Sequence, residues 1–82
     1  MSEKITHLRQ KLLQSPDSIL LKFSLGQVLF EEEEWNESIR LFEECLKGRP
    51  DWMIASLYLG KAYLMQGKIQ SAQTNLSLTM DL

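Results

Sequence analysis

The chain has 82 residues, 44% of them hydrophobic and 24% charged, with a net charge of −2 and a pI near 5.3. That composition suits one small folded domain and excludes a disordered chain; nine Lys and Arg residues spread without a cluster exclude nucleic acid as the main partner. No stretch approaches the ~18 apolar residues of a membrane span, Met1-Ser2-Glu3-Lys4 does not read as a signal peptide, and the lone Cys45 can form no internal disulfide, so a cytoplasmic protein without a membrane partner is expected.

From Ser2 to Gln14 the apolar residues Ile5, Leu8, Leu12 and Leu13 fall at helical spacing. Ser15-Pro16 ends that helix, and Asp17 and Ser18 are N-cap candidates for the next. The second predicted helix, Ser18 to Glu31, carries two apolar stripes: Leu21, Leu25, Val28 and Leu29 on one side, Leu20, Phe23, Gln27 and Phe30 on another. A helix apolar nearly all round must be covered on both sides. Glu31 to Glu34 reads as a solvated acidic turn. Asn36 is the expected cap of a third helix reaching Lys47, with Ile39, Phe42, Cys45 and Leu46 inward, Trp35 at its mouth, and Gly48 suited to a left-handed C-cap. Pro50-Asp51 restarts the cycle. The fourth predicted helix, Trp52 to Gln66, again has two stripes: Ala55, Leu59, Ala62 and Tyr63, then Ile54, Leu57, Lys61 and Leu64. Gly67 is expected to break it, and a fifth helix from Lys68 would place Ile69, Ala72, Leu76 and Met80 inward.

Two markers return at one step. Leu25-Gly26 recurs as Leu59-Gly60 and Pro16-Asp17 as Pro50-Asp51, 59 − 25 = 50 − 16 = 34 residues. A repeat of that length means an α-solenoid, whose units are too small to bury their apolar faces alone and do so against their neighbours.

The pattern resembles the tetratricopeptide repeat. The likeness rests on Leu25-Gly26, Leu29, Ser38, Phe42, Cys45 and Pro50 in one unit, and on Leu59-Gly60, Tyr63, Gly67, Ala72 and Leu76 in the next. Lys22, Ser56, Leu29, Glu33 and Thr79 depart from the family's usual residues. The resemblance implies an all-α domain of about five helices stacked as a short right-handed solenoid. Residues 1–18 would be the second half of a preceding repeat, 19–52 repeat one, and 53–82 repeat two without a capping helix.

Little in the chain points to chemistry. His7 has no cysteine partner at ligand spacing, the glycines form no phosphate loop, and Cys45 on an inner stripe reads as an inert thiol. No cofactor, metal or catalytic residue is expected, and a thiol enzyme using Cys45 is the remote alternative. The resemblance implies a concave groove along the first helices of successive units, here lined by Leu20, Phe23, Gln27, Phe30, Trp52, Ile54, Leu57, Lys61 and Leu64. Such a groove suits an apolar or amphipathic segment of a protein partner, as in an adaptor or small chaperone. The carboxylate clamp of the family's chaperone-tail binders is not matched, since Phe23, Gln27, Tyr58 and Lys61 stand at its sites. The alternative is a homodimer through Leu76, Leu78, Met80 and Leu82 at the uncapped end.

Overall fold

The computed structural model describes the backbone of residues 3–81 and the side chains of residues 3–68. Four α-helices follow one another: α1 (Glu3–Gln14), α2 (Ile19–Glu31), α3 (Trp35–Gly48) and α4 (Met53–Asp81). Among the described residues there is no strand. Helix α2 packs against α1 and α3, α3 packs against α4, and α2 also touches α4. The molecule is an elongated slab of 52 × 31 × 15 Å.

Local chemistry starts and stops these helices. Ser18 caps α2, its hydroxyl accepting the Leu21 amide at 3.3 Å. The α2–α3 turn closes with the Glu34 amide donating to the Leu29 carbonyl at 2.9 Å and the Glu33 amide to the Phe30 carbonyl at 3.1 Å. That Schellman closure needs a left-handed residue at its centre, and Glu33 supplies it at φ 63°. Two expected caps differ. Helix α3 starts at Trp35, two residues earlier than a cap at Asn36 implies, with Glu34 as a cap residue that makes no side-chain bond, while Asn36 already lies within the helix. Gly48 stays helical without a positive φ, and a Cβ there would meet only the side chain of Ile19, chiefly its terminal Cδ1.

The core has two parts, one on each side of the α2–α3 pair. Ile5, Leu25, Leu29 and Leu41 form the first, flanked by Leu8, Leu12 and Val28. Phe42, Cys45 and Ala55 form the second, flanked by Ile19, Phe23, Leu46, Trp52, Tyr58 and Leu59. The two stripes of α2 thus feed two cores, as an all-round apolar helix requires. Gly26 lets α3 come close: a Cβ at that position would stand 3.0 Å from ring carbons of Phe42. The adjacent Ser38 hydroxyl, fully buried, donates to the Gly26 carbonyl at 3.0 Å. Leu41, absent from the predicted inward row, is buried against α1.

The largest departure is at Gly67. Instead of two helices meeting in a turn there, one helix of 29 residues runs through it, and the helix count is four where about five were expected. A lone glycine costs a helix only about 1 kcal/mol and breaks it only when something favours the turn. At Glu33 the turn is worth a left-handed glutamate because α3 brings Ile39, Leu41, Phe42 and Cys45 back to the core. The residues 34 further on are Gln73, Asn75, Leu76 and Thr79, a far weaker apolar return.

Candidate protein-binding face

Tyr58 on α4 is the hub of the side formed by α2 and α4. Its ring stacks on Phe42 at 5.2 Å and meets Phe23 and Phe30 edge-on at 5.8 and 5.3 Å. Its hydroxyl accepts from the Gln27 amide nitrogen at 3.2 Å, so the ring is fixed at both ends. Phe23 also contacts Trp52 at 4.5 Å, and Arg49 lies 5.2 Å above the Trp52 ring. Phe30 continues the row to Trp35 at 5.2 Å. Four of the groove residues read from the sequence, Phe23, Gln27, Phe30 and Trp52, are therefore half-buried and already engaged within the chain. Tyr58 falls on neither stripe of the predicted α4. The signal was present, since Tyr58 lies one turn from both Ala55 and Ala62, which are fully buried.

The other five groove residues are exposed: Leu20 on α2, and Ile54, Leu57, Lys61 and Leu64 on α4. Met53, which the sequence reading passed over, is exposed by 81%, against 60% for Leu57 and 59% for Leu64. Met53, Leu57, Gly60, Leu64 and Gly67 succeed one another at steps of four, three, four and three, so they form one straight seam along α4. Ile54 and Lys61 flank it on one side and Tyr63 on the other. Nothing lies within 4 Å of a Cβ built at Gly60 or at Gly67. At the N-terminal end of the seam, a shallow cleft is lined by Pro50, Trp52, Met53, Ile54 and Leu57. The side chains of Leu76, Leu78 and Met80, and residue Leu82 altogether, lie outside the described residues.

On the opposite side of the slab, Arg9 and Glu37 pair at 2.6 Å and Lys22 and Glu44 at 3.7 Å. The hydrogen bond from Arg9 holds the Glu37 carboxyl below its ordinary pKa. On the α3–α4 border, the Tyr63 hydroxyl donates to Glu43 at 2.8 Å, which raises its own pKa, and Gln66 donates to Asn36. The Cys45 thiol is fully covered, donates to the Ile19 carbonyl at 3.6 Å, and is pushed up in pKa by burial. It has the environment of a structural thiol and not of a nucleophile. Among the described residues no group of three His, Cys, Asp or Glu side chains could hold a metal ion, and no helix is long and apolar enough to cross a membrane.

Against known proteins, no family model matches the chain, and no curated protein or solved structure does either.

Proposed function

We propose that the chain is a protein–protein interaction module, an adaptor or small chaperone of tetratricopeptide type working in the cytoplasm, that holds an apolar or amphipathic helix of a protein partner. The observation that carries this reading is the seam on α4: Met53, Leu57 and Leu64 stand largely exposed in one line, with Ile54 of α4 and Leu20 of α2 also exposed. A run of large apolar side chains in water is a standing cost that a covering helix removes. The 34-residue repeat supports the same reading, because a unit of a solenoid expects a neighbour on this face. Trp52 lines the cleft at the N-terminal end of the seam, while Phe23 and Phe30 are engaged by Tyr58. The buried, unactivated thiol of Cys45 favours a binding module over a thiol enzyme.

The test is binding of a fluorescent, lysine-rich amphipathic peptide with a leucine face, chosen because the chain is net acidic. Burying one leucine side chain is worth about 1.5–3 kcal/mol, so Leu57→Glu is expected to weaken binding at least about tenfold. Since Leu57 is 60% exposed, the same change should leave the melting temperature nearly where it was. Peptide binding that is indifferent to Leu57→Glu would sink the proposal.

A further inference from the structure

The contact between α2 and α3 says what the seam on α4 is shaped to receive. The two helices run antiparallel. Ile19 of α2 meets Gly48 and Cys45, Lys22 reaches Glu44, and Phe23 meets Phe42. Gly26 meets Phe42 and Ser38, and Phe30 meets Trp35. Moved on by the 34-residue step, those five positions of α2 are Met53, Ser56, Leu57, Gly60 and Leu64. With 3.6 residues to a turn they fall within about 100° of one another on α4, and every one of them is exposed. Gly26 is a notch filled by the Phe42 ring. Gly60 is the same notch left open, with nothing within 4 Å of a Cβ built there. Helix α4 runs unbroken through Gly67, so it does not fold back over its own seam.

Charge marks one rim of that seam. Lys61 and Lys68, two helical turns apart on the same side, are exposed and make no hydrogen bond or ion pair among the described residues. On the other rim Tyr63 already holds Glu43, and Asp51 lies beyond Met53 at the end of the cleft. The chain is net acidic, yet the rim open to a partner is cationic. Because salt screens charges more than about 8 Å apart under physiological conditions, the rim and not the total decides what is preferred at contact. We propose that the seam takes a partner helix of the α3 kind, antiparallel to α4. A small and an aromatic residue four apart, as Ser38 and Phe42 are, sit over Gly60, and carboxylates seven apart pass Lys61 and Lys68. The proposal rests on the reading of the seam as a helix-docking face, and it names what that face selects. The ring fills the gap between Leu57 and Leu64, where a small side chain would leave their flanks without contacts. The carboxylates stay at a wet rim, so they add selectivity more than affinity.

The experiment compares three fluorescent peptides with the same leucine face. The first carries serine and phenylalanine four apart, with glutamates seven apart on its flank. The second has lysines in place of those glutamates, and the third has alanine in place of the phenylalanine. At low salt the glutamate peptide is expected to bind at least about threefold tighter than the lysine peptide, the scale of two exposed ion pairs. Lys61→Glu together with Lys68→Glu should reverse that order. Gly60→Ala is expected to weaken the phenylalanine peptide about tenfold and to leave the alanine peptide unchanged. The same substitution should hold or raise the melting temperature, since alanine is the better helix residue and nothing crowds its Cβ, so a lost notch is not confused with a lost fold. Equal binding of the glutamate and lysine peptides, or phenylalanine-peptide binding indifferent to Gly60→Ala, overturns the assignment. In either case a loss of that binding in Leu57→Glu leaves the docking face itself standing, whereas no binding of any peptide removes both. A species of 2 × 9.5 = 19 kDa without peptide, returned to 9.5 kDa by Leu57→Glu, makes a second copy the occupant and also overturns the proposal.

Discussion

Phe42 rests directly on Gly26: a Cβ added to the glycine would stand 3.0 Å from two carbons of the ring. The ring is fully buried and held by Phe23 and Tyr58, so it has little room to yield. Gly26→Ala is therefore expected to lower stability by about 1–2 kcal/mol, overpacking outweighing the ~1 kcal/mol gain in helix propensity. Gly48→Ala makes a shorter nominal contact, 2.4 Å, but with the mobile tip of the half-buried Ile19, and it should be nearly neutral. Urea titration of both variants checks the contrast.

Tyr58 ties α4 to both other helices of its core. Tyr58→Phe removes only the hydrogen bond from Gln27, a loss of about 0.5–1.5 kcal/mol. Tyr58→Ala also removes ring contacts with Phe23, Phe30 and Phe42 and should cost about 3–5 kcal/mol, a large share of the stability of so small a domain. Thermal melts followed by circular dichroism would show the second variant largely unfolded at room temperature and the first merely shifted.

Glu33 holds a left-handed conformation at φ 63°, which glycine adopts without steric cost. Glu33→Gly also removes one carboxylate from the run Glu31 to Glu34 at the C-terminal end of α2. A gain of about 0.5–1 kcal/mol is expected, net of the greater freedom of glycine in the unfolded chain. A lower denaturation midpoint than that of the unaltered protein would contradict it.

The Arg9–Glu37 pair gives stability a defined acid dependence. Because Arg9 lowers the Glu37 carboxyl below its unfolded value, the contribution is present above about pH 4.3 and fades as pH falls through the folded pKa. Arg9 itself stays charged throughout. The pair is partly exposed, so its worth is at most about 1 kcal/mol. Arg9→Ala should remove this amount at neutral pH and flatten the acid limb of the stability profile; equal slopes in the two proteins would refute the assignment.

Cys45 is expected to react with an aromatic disulfide reagent only as fast as the protein unfolds, since its thiol is covered and its pKa raised. Rapid reaction in native buffer would reopen thiol chemistry.

Much of the architecture was legible in the sequence because it is written in local terms. Proline at 16 and 50, the Ser18 cap and the spacing of Leu25, Leu29, Ile39 and Phe42 fix three helices and their inward faces through steric and periodic rules that act within a few residues. The 34-residue step, likewise, is a property of the string alone. Gly26 is a place of close approach in the structure, and Phe42 occupies that place.

What needed the tertiary structure was every choice between locally similar options. Gly48 and Gly67 both look like helix stops, yet neither takes a positive φ, while Glu33 does, because packing of α3 outweighs the local penalty there. Phe23 and Leu57 hold equivalent positions in the repeat, yet Phe23 is covered by Trp52, Tyr58 and Phe42 and Leu57 stands open. Periodicity places both on the same face of their helices. Only the presence of a neighbouring helix separates core from exposed surface, and a neighbour is a fact about the assembled chain: burial energy depends on what arrives at a face, not on the face itself.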